Sequence, residues 1–467
     1  MSTQLAALSN ILSSGIATIE SKYSQHGIPF PSIDEPFKPG PLDDDAVLAE
    51  TIDHVIAAAA HLIALVKPAP RSVAECALSF YLPLSLSVVV SANVPEILRE
   101  AGPEGLHIKN IGDKCGADPD KMGRILRYLA TNHFFTEVLP DTFAGNRISS
   151  VLDTGKSVAT LKADPMSKHD DTSGLPALLG HCTDEMLKAA VYLEDNTLDP
   201  KTSASQDPLD CPFSRAFGRE SLFDFMEKPE NDFRKRRFGA AMHGASSSIS
   251  SGALLTGFDW KSLKQDALVV DVGGGIGSTT LQLTKAFHHL RYVIQDRPQV
   301  IPDGVRFWEG ENPDALKSGR VQLTAHDFFE PQPIKTASVF FMRYITHDWP
   351  DAYAKKILKQ LRIAAQSYTK LILYEFLVPY AAPSNKEFSH IPGAEVPIPP
   401  FPLLPNLGPV SNVTMVADLQ MMIASNAKER TLGQFIDLVN GTGWKLVSIG
   451  RSPKDTMALF TFEPVEF

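Results

Sequence analysis

Leu268 to Pro298 reads LVVDVGGGIGSTTLQLTKAFHHLRYVIQDRP. An apolar run from Ala267 to Val272 stops at glycines, and a run of that length bounded by turn residues suits a strand buried on both faces. Gly273, Gly274, Gly275 and Gly277 follow at once and let the backbone turn sharply, closer to a ligand than a Cβ would allow. Ser278 to Phe287 carries Leu281, Leu283 and Phe287 at helical spacing, and Arg291 to Ile294 makes a second strand. Asp296 stands at the end of that strand, 25 residues after Asp271. In an open parallel sheet the crevice beyond the carboxyl ends of the strands holds the ligand, and an acid there can accept from both hydroxyls of a ribose.

The glycine spacing bears on the kind of nucleoside. A dinucleotide fingerprint is G-x-G-x-x-G, whereas Gly273, Gly275 and Gly277 give G-x-G-x-G with Ser278 at the last dinucleotide position. Asp271, two residues before the first glycine, suits a cationic sulfonium better than a pyrophosphate. The stretch by itself leaves dehydrogenase and methyltransferase both open.

Downstream, Val321 to Asp327 reads as a third strand running into His326-Asp327-Phe328-Phe329, which would set Asp327 and Phe328 beside an adenine. Ser338 to Tyr344 is a fourth strand, followed by Thr346-His347-Asp348-Trp349-Pro350 and a helix from Asp351 to Gln366. Lys370 to Glu375 is a fifth strand, and the proline-rich stretch from Val378 to Pro409 is a loop or lid. Helical patterns over Met415 to Ile423 and Thr431 to Gly441 flank Asn426 to Arg430, and Trp444 to Ile449 and Met457 to Phe462 close the chain as strands. The pattern predicts an α/β fold of Rossmann type: parallel strands, an antiparallel C-terminal strand, and a mainly helical region before them.

Upstream, Leu5, Leu8, Leu12, Ile16 and Ile19 mark an amphipathic helix, either folded on its own core or exchanged with a second subunit. Prolines from Gln25 to Asp45 make a connector, and Ala46 to Val66 and Ser72 to Leu98 return to apolar helical patterns that must be buried internally or across a dimer interface. Leu106 to Val151 reads as helix, turn, helix and hairpin, the shape of a winged helix. Residues 106 to 150 hold six Lys or Arg against five Asp or Glu, a balance far from the basic footprint of a DNA-groove reader. Phe213 to Met242 is rich in Phe and Met; such clusters build cores, and they also wall flat apolar ligands. Phe223, Met226, Phe238, Met242 and Asp418 are the candidate substrate contacts.

The 467 residues, 43% apolar and 21% charged, fit a globular protein of two or three domains, and a net charge of −10 argues against a general nucleic-acid binder. Cys76, Cys115, Cys182 and Cys211 lack metal or disulfide spacing, which points to reduced thiols in a cytoplasmic protein. No signal peptide is expected, and the apolar stretch Val55 to Val66 reads as too short to span a bilayer.

Asp271, Asp296, Asp327, His347 and Glu375 each fall at the end of a predicted strand, so one edge of the sheet gathers the polar chemistry. Methyl transfer from a sulfonium needs an oxygen nucleophile held in line and stripped of its proton. A phenol has a pKa of about 10 and histidine about 6.5, so a neutral His347 can take that proton near pH 7. Glu375 or Glu429 would hold its other ring nitrogen.

VDVGGGIGSTT, QDRP, HDFF, FMRYITHDWPD, LYEF and AKERT resemble the S-adenosylmethionine-dependent small-molecule O-methyltransferases of plants and fungi, and the length is closer to the fungal branch. The resemblance implies His347 as general base with Glu375 and Glu429 as flanking acids, and cofactor contacts at Gly274, Gly275, Asp296, Asp327, Phe328 and Arg343. Asp271, Gly273 and Arg297 complete the expected cofactor set. It also implies a homodimer without nucleic-acid or membrane partners. Residues 1–160 would form a helical dimerisation domain with a winged helix at 106–151, residues 161–255 a linker and substrate-pocket region, and residues 256–467 the catalytic domain. The expected reaction is methylation of a phenolic or enolic hydroxyl of an aromatic or polyketide-like metabolite, releasing S-adenosylhomocysteine and using no metal. The alternative is an isomerase or lyase that keeps the same cofactor as an electrostatic element.

Overall fold

In the computed structural model, which describes residues 3–247, 252–383, 386–452 and 456–466, the chain divides into two units. The first comprises Met1–Glu194 and Phe213–Ser248, the second Asp195–Pro212 and Ile249–Phe467.

The first unit opens with two helices packed side by side, Gln4–Gln25 and Ala46–Val66. They approach most closely at Gly15, where a Cβ would lie 2.5 Å from Val55 Cγ2. Asp45 starts the second helix by accepting from the Leu48 amide at 2.9 Å, and it also receives Lys22 Nζ at 2.8 Å. The apolar run read as one helix from Ser72 to Leu98 is three: Ala69–Ala77, Tyr81–Ser91 and Val94–Ala101. A turn at residues 78–80 makes the first break, and Asn93 makes the second by taking a left-handed φ of 56° ahead of Pro95. Strands β1 (Leu106–His107), β2 (Thr136–Leu139) and β3 (Thr142–Ala144) form an antiparallel sheet in the order β1-β3-β2, with helices Ile108–Cys115 and Pro119–Thr131 between β1 and β2. Leu86, Val89, Leu126, Leu129, Phe135 and Phe143 are at the centre of this unit's core. The helix Ala46–Val66 and the segment Ala69–Ser91, taken across its turn, are also long and apolar enough to cross a membrane by length and composition. This corrects the expectation that the apolar stretch is too short: the helix begins at Ala46, nine residues before Val55.

The second unit holds strands β4 (Leu268–Val272), β5 (Arg291–Asp296), β6 (Val321–Ala325), β7 (Val339–Arg343), β8 (Lys370–Phe376), β9 (Trp444–Gly450) and β10 (Met457–Pro464). They form one sheet in the order β6-β5-β4-β7-β8-β10-β9. All pairs from β6 to β8 are parallel, and β10 inserts antiparallel between β8 and β9. Both faces are covered, which is why β4, β7 and β8 read as continuous apolar runs. Helices Asp351–Ala364 and Leu432–Val439 pack with Phe340, Leu371, Leu373 and Phe460 on one face; Ser278–Ala286 packs with Trp260, Trp308, Phe341 and Ile372 on the other.

Described parts of the proline-rich stretch contain only the short 3-10 turns Lys386–Phe388 and Gly408–Ser411. The stretch is tethered to β9 by a hydrogen bond from the Ile449 amide to the Pro392 carbonyl, 2.9 Å, with Ile391 buried beside it. Gly393 has φ of 81°, and a Cβ there would come 1.9 Å from the Ile449 carbonyl oxygen. Gly393→Ala is therefore expected to destabilise the protein by about 2 kcal/mol or more in chemical denaturation, with proteolytic nicking confined to 378–409.

Candidate active site

The parallel strands end on one edge, and this edge carries the candidate residues. Past β4, Gly273 and Gly275 take positive φ values of 71° and 58°. The Gly273 and Gly274 amides donate to the Gln295 carbonyl at 2.8 and 3.1 Å, which folds the turn back against β5. A Cβ on Gly274 would meet the Asp271 carboxyl at 2.6 Å, whereas Gly275 faces open space. The Gly275 amide donates to Asp296 Oδ2 at 2.8 Å, and the Arg297 amide donates to Oδ1, also at 2.8 Å. Asp296 is thus fixed beside a bare stretch of backbone, which suits the ribose of a nucleoside.

Asp271 is buried and accepts from Thr280 Oγ1 at 2.6 Å. Burial, assisted by repulsion from Asp296, pushes its pKa to about 6 against the pull of the Thr280 hydroxyl and Arg343. Such an acid ionises more readily when a cation arrives. Arg343, at the end of β7, donates to Thr279 Oγ1 at 2.8 Å and lies over the Tyr344 ring at 5.0 Å. Its Nε is buried without a hydrogen-bond partner among the described residues. Phe328 packs edge-on to Phe329 and Trp349, and its ring would lie 3.5 Å from a Cβ on Gly273. Asp327 is exposed and accepts from the Phe329 amide at 2.9 Å. A polar cradle without side chains, an apolar ring at its rim and acids on both sides fit an adenosyl sulfonium.

After β7 the chain turns abruptly. Tyr344 adopts φ of 55°, a left-handed conformation rare for a bulky residue and typical of functional sites. The turn aims the amides of Ile345 and Thr346 at Glu375 Oε1, 3.2 and 2.9 Å away, and the Thr346 hydroxyl adds a third bond at 2.9 Å. Converging amides of this kind make an anion nest. Residues Thr346–Asp348 form one 3-10 turn that presents His347, whose ring stacks on Tyr344 with centroids 5.0 Å apart.

His347 Nδ1 lies 2.6 Å from Glu429 Oε1. Nε2 is 3.5 Å from Asp348 Oδ1. Of the two acids expected to hold the imidazole, Glu429 therefore makes the bond, while Glu375 spends its Oε1 on the turn. Burial disfavours the imidazolium, but Glu429, Asp348 and Glu375 outweigh it and raise His347 to about 10. Burial, with repulsion from Glu429, also holds Glu375 above the usual carboxylate range despite His347 and Thr346. Glu375 Oε2 and Glu429 Oε2 are buried without hydrogen-bond partners among the described residues. His347, Glu375 and Glu429 each bring one ligand-type atom within 4.8 Å of the others.

The remaining expectations separate by unit. Asp418 accepts from the Glu429 amide at 2.9 Å, so it braces the segment bearing the acid. Phe223, Met226, Phe238 and Met242 belong to the first unit. Met226 is buried, as are Phe213 and Phe225 of the same aromatic cluster, so these three are core. Phe223 meets Phe238 edge-on at 6.3 Å, and both are half-buried, as is Met242. Sequence reasoning missed Arg430 and Asp351. Arg430 is 1% exposed and bonds Asp351 and the carbonyls around His347. The only trace in the sequence is its place directly after Glu429.

Comparison with known proteins bears on the family and the fold. A family model described as an O-methyltransferase domain matches residues 191–391. An O-methyltransferase of Armillaria gallica is 38% identical over 454 residues, covering 96% of either chain. A 4-O-methyltransferase of Phanerochaete chrysosporium is 37% identical, covering 97% of either chain. Among solved structures, the mitomycin 7-O-methyltransferase covers 87% of this chain and 100% of its own at 20% identity with a TM-score of 0.63. A pericyclic reaction enzyme covers 97% and 99% at 18% identity with a TM-score of 0.68. At such identities the two structures speak for the fold alone.

Removing the charge of Glu429 while keeping its shape tests the contact. In Glu429→Gln the His347 ring, followed by NMR, is expected to titrate well below the wild-type value. Because the folded pKa lies above the unfolded one of about 6.5, the stability from this pair is complete below pH 6.5 and lost as pH rises towards 10. The stability gap between wild type and Glu429→Gln should shrink over that window; a gap that grows would contradict the assignment.

Proposed function

This chain belongs to the S-adenosylmethionine-dependent O-methyltransferases of fungal type, and we propose that it methylates a phenolic or enolic hydroxyl of an aromatic or polyketide-like metabolite with His347 as general base. The observation that carries the reading is the bond from His347 Nδ1 to Glu429, which leaves Nε2 as the proton acceptor on the ligand edge of the sheet. S-adenosylmethionine supplies an electrophilic methyl group and leaves as S-adenosylhomocysteine. Asp296 and the Gly275 backbone would hold its ribose, Phe328 and Asp327 its adenine, and the buried acid Asp271 adds negative charge for the sulfonium.

The protein's own part is alignment and proton removal. Alignment of oxygen and methyl contributes several kcal/mol, and a positioned base about 10²- to 10⁴-fold. Glu429 fixes the tautomer with the proton on Nδ1 and stabilises the imidazolium that forms at Nε2. The acids that raise His347 oppose a base role at neutral pH, and a cationic donor in the same pocket would draw His347 back towards neutrality. No step in this sequence requires a metal. Phe223, Phe238 and Met242 are candidates to meet a flat substrate.

For the first unit we propose that a second copy of the chain covers the apolar helices, giving a cytoplasmic homodimer. Ile56, Ile63, Val66, Val73, Leu78 and Phe80 are exposed on helices Ala46–Val66 and Ala69–Ala77 and the turn after them, more apolar surface than isolated residues account for.

With an accepted phenol, S-adenosylhomocysteine should form one-for-one with methylated product; product without it would favour the isomerase or lyase. His347→Ala should lower kcat by about 10²-fold or more, and the wild-type rate should rise with pH until His347 is neutral, unchanged by a chelator. Sedimentation should give a dimer, which Val73→Glu weakens; a monomer that floats with vesicles would sink the dimer assignment.

A further inference from the structure

We propose that Arg430 is a positioning residue for the His347–Glu429 pair: its guanidinium sets the contact between two side chains carried by segments far apart in the chain. The proposal rests on the reading of that pair as the proton-accepting unit, but its own readout is the geometry of the pair.

Arg430 is 1% exposed, and a cation so buried persists only where its donors are met. Nη1 donates to the Thr346 carbonyl at 2.7 Å, and Nη2 to the Trp349 carbonyl at 3.1 Å. These carbonyls bracket His347. Nη2 and Nε also reach Asp351 Oδ1 at 2.8 and 3.1 Å, at the start of the next helix. Lys428 Nζ takes the other Asp351 oxygen at 2.6 Å. The main chain of Arg430 is held independently, since its carbonyl accepts from the Val378 amide at 3.0 Å just beyond β8. Glu429 therefore stands on a backbone anchored to the sheet, and the turn bearing His347 hangs from the side chain of the next residue.

The partners of Thr346 complete the arrangement. Its amide and hydroxyl donate to Glu375, while its carbonyl accepts from Arg430. A buried acid and a buried cation thus hold one residue, the acid through its amide and hydroxyl and the cation through its carbonyl. The turn can shift only if one of them releases it, and His347 shifts with it. Lysine cannot substitute, because three donors on a flexible stem do not reproduce a planar fork that meets two carbonyls and a carboxylate at once.

The test uses full-length enzyme, S-adenosylmethionine and an accepted phenol, with variants Arg430→Lys and Asp351→Asn alone and combined with Glu429→Gln. Arg430→Lys should lower kcat by about 10- to 100-fold while binding of S-adenosylhomocysteine stays within about two-fold. The His347 ring, faced by Glu429, Glu375, Asp348 and Tyr344, should titrate at lower pH as its contact with Glu429 lengthens. In the Glu429→Gln background the same substitution should cost no more than about two-fold, because the pair it positions is already broken. Asp351→Asn should move both readouts the same way by less, and it stands in should Arg430→Lys fail to fold. An unchanged kcat and His347 titration overturns the proposal, as does an equal loss in both backgrounds, which marks a role in stability only. If His347→Ala retains turnover, the base assignment fails while a shifted His347 titration in Arg430→Lys still supports the positioning role.

Discussion

The edge that carries His347 depends on one residue, Thr346, held between a buried acid and a buried cation. Glu375 sits at the end of β8, inside the sheet, and Arg430 lies in the segment that runs alongside it. Either charge alone would be costly in an apolar interior. Glu375 is tolerated because it takes amides of one turn, and Arg430 because it takes carbonyls of the same turn together with the Asp351 carboxylate. The left-handed Tyr344 is the cost of bringing two successive amides onto one carboxylate oxygen. The surroundings fix that conformation more strongly than Tyr344 resists it.

The sheet was legible because its information is local. An apolar run, a glycine turn and an acid at the next strand end lie within one stretch of thirty or so residues, and buried parallel strands announce themselves as uninterrupted apolar segments. Positions at strand ends brought Asp271, Asp296 and His347 to one edge of the sheet for the same reason. Other features were hidden in tertiary pairing. Whether Glu375 or Glu429 meets the imidazole depends on how the chain returns after helix Asn412–Ser425, and no spacing encodes that return. Arg430 reads in sequence as one more basic residue in a polar linker, and only its burial shows otherwise. The helix breaks after Ala77 and Ser91 escaped because apolar content is the same on both sides of each turn.

The two ends of the site use charge differently. At the proposed cofactor end, acids face backbone: Asp296 is fixed by two amides, and among the described residues nothing lies within 4 Å of where a Gly275 Cβ would stand. This geometry leaves room for a ligand and offers it acceptors for hydroxyls and negative charge for a cation. At the His347 end, acids face an imidazole, and three carboxylates stand close enough to raise it. An excess of negative charge there favours a cationic donor over an anionic one and favours a substrate that arrives neutral, losing its proton only after it is bound.

That asymmetry bears on which chemistry the scaffold performs, since similar folds serve both a methyltransferase and a pericyclic enzyme. A rearrangement assisted by a nearby positive charge needs the cofactor end alone, because no proton has to leave for good. Methylation of a hydroxyl needs both ends, since the oxygen must lose a proton to something that can keep it. A histidine held by one buried acid, with its turn braced by a second acid and by an arginine, is elaborate support for a residue with no proton to accept. The use of three buried ionisable groups in the placement of one imidazole is what tips the reading towards methyl transfer.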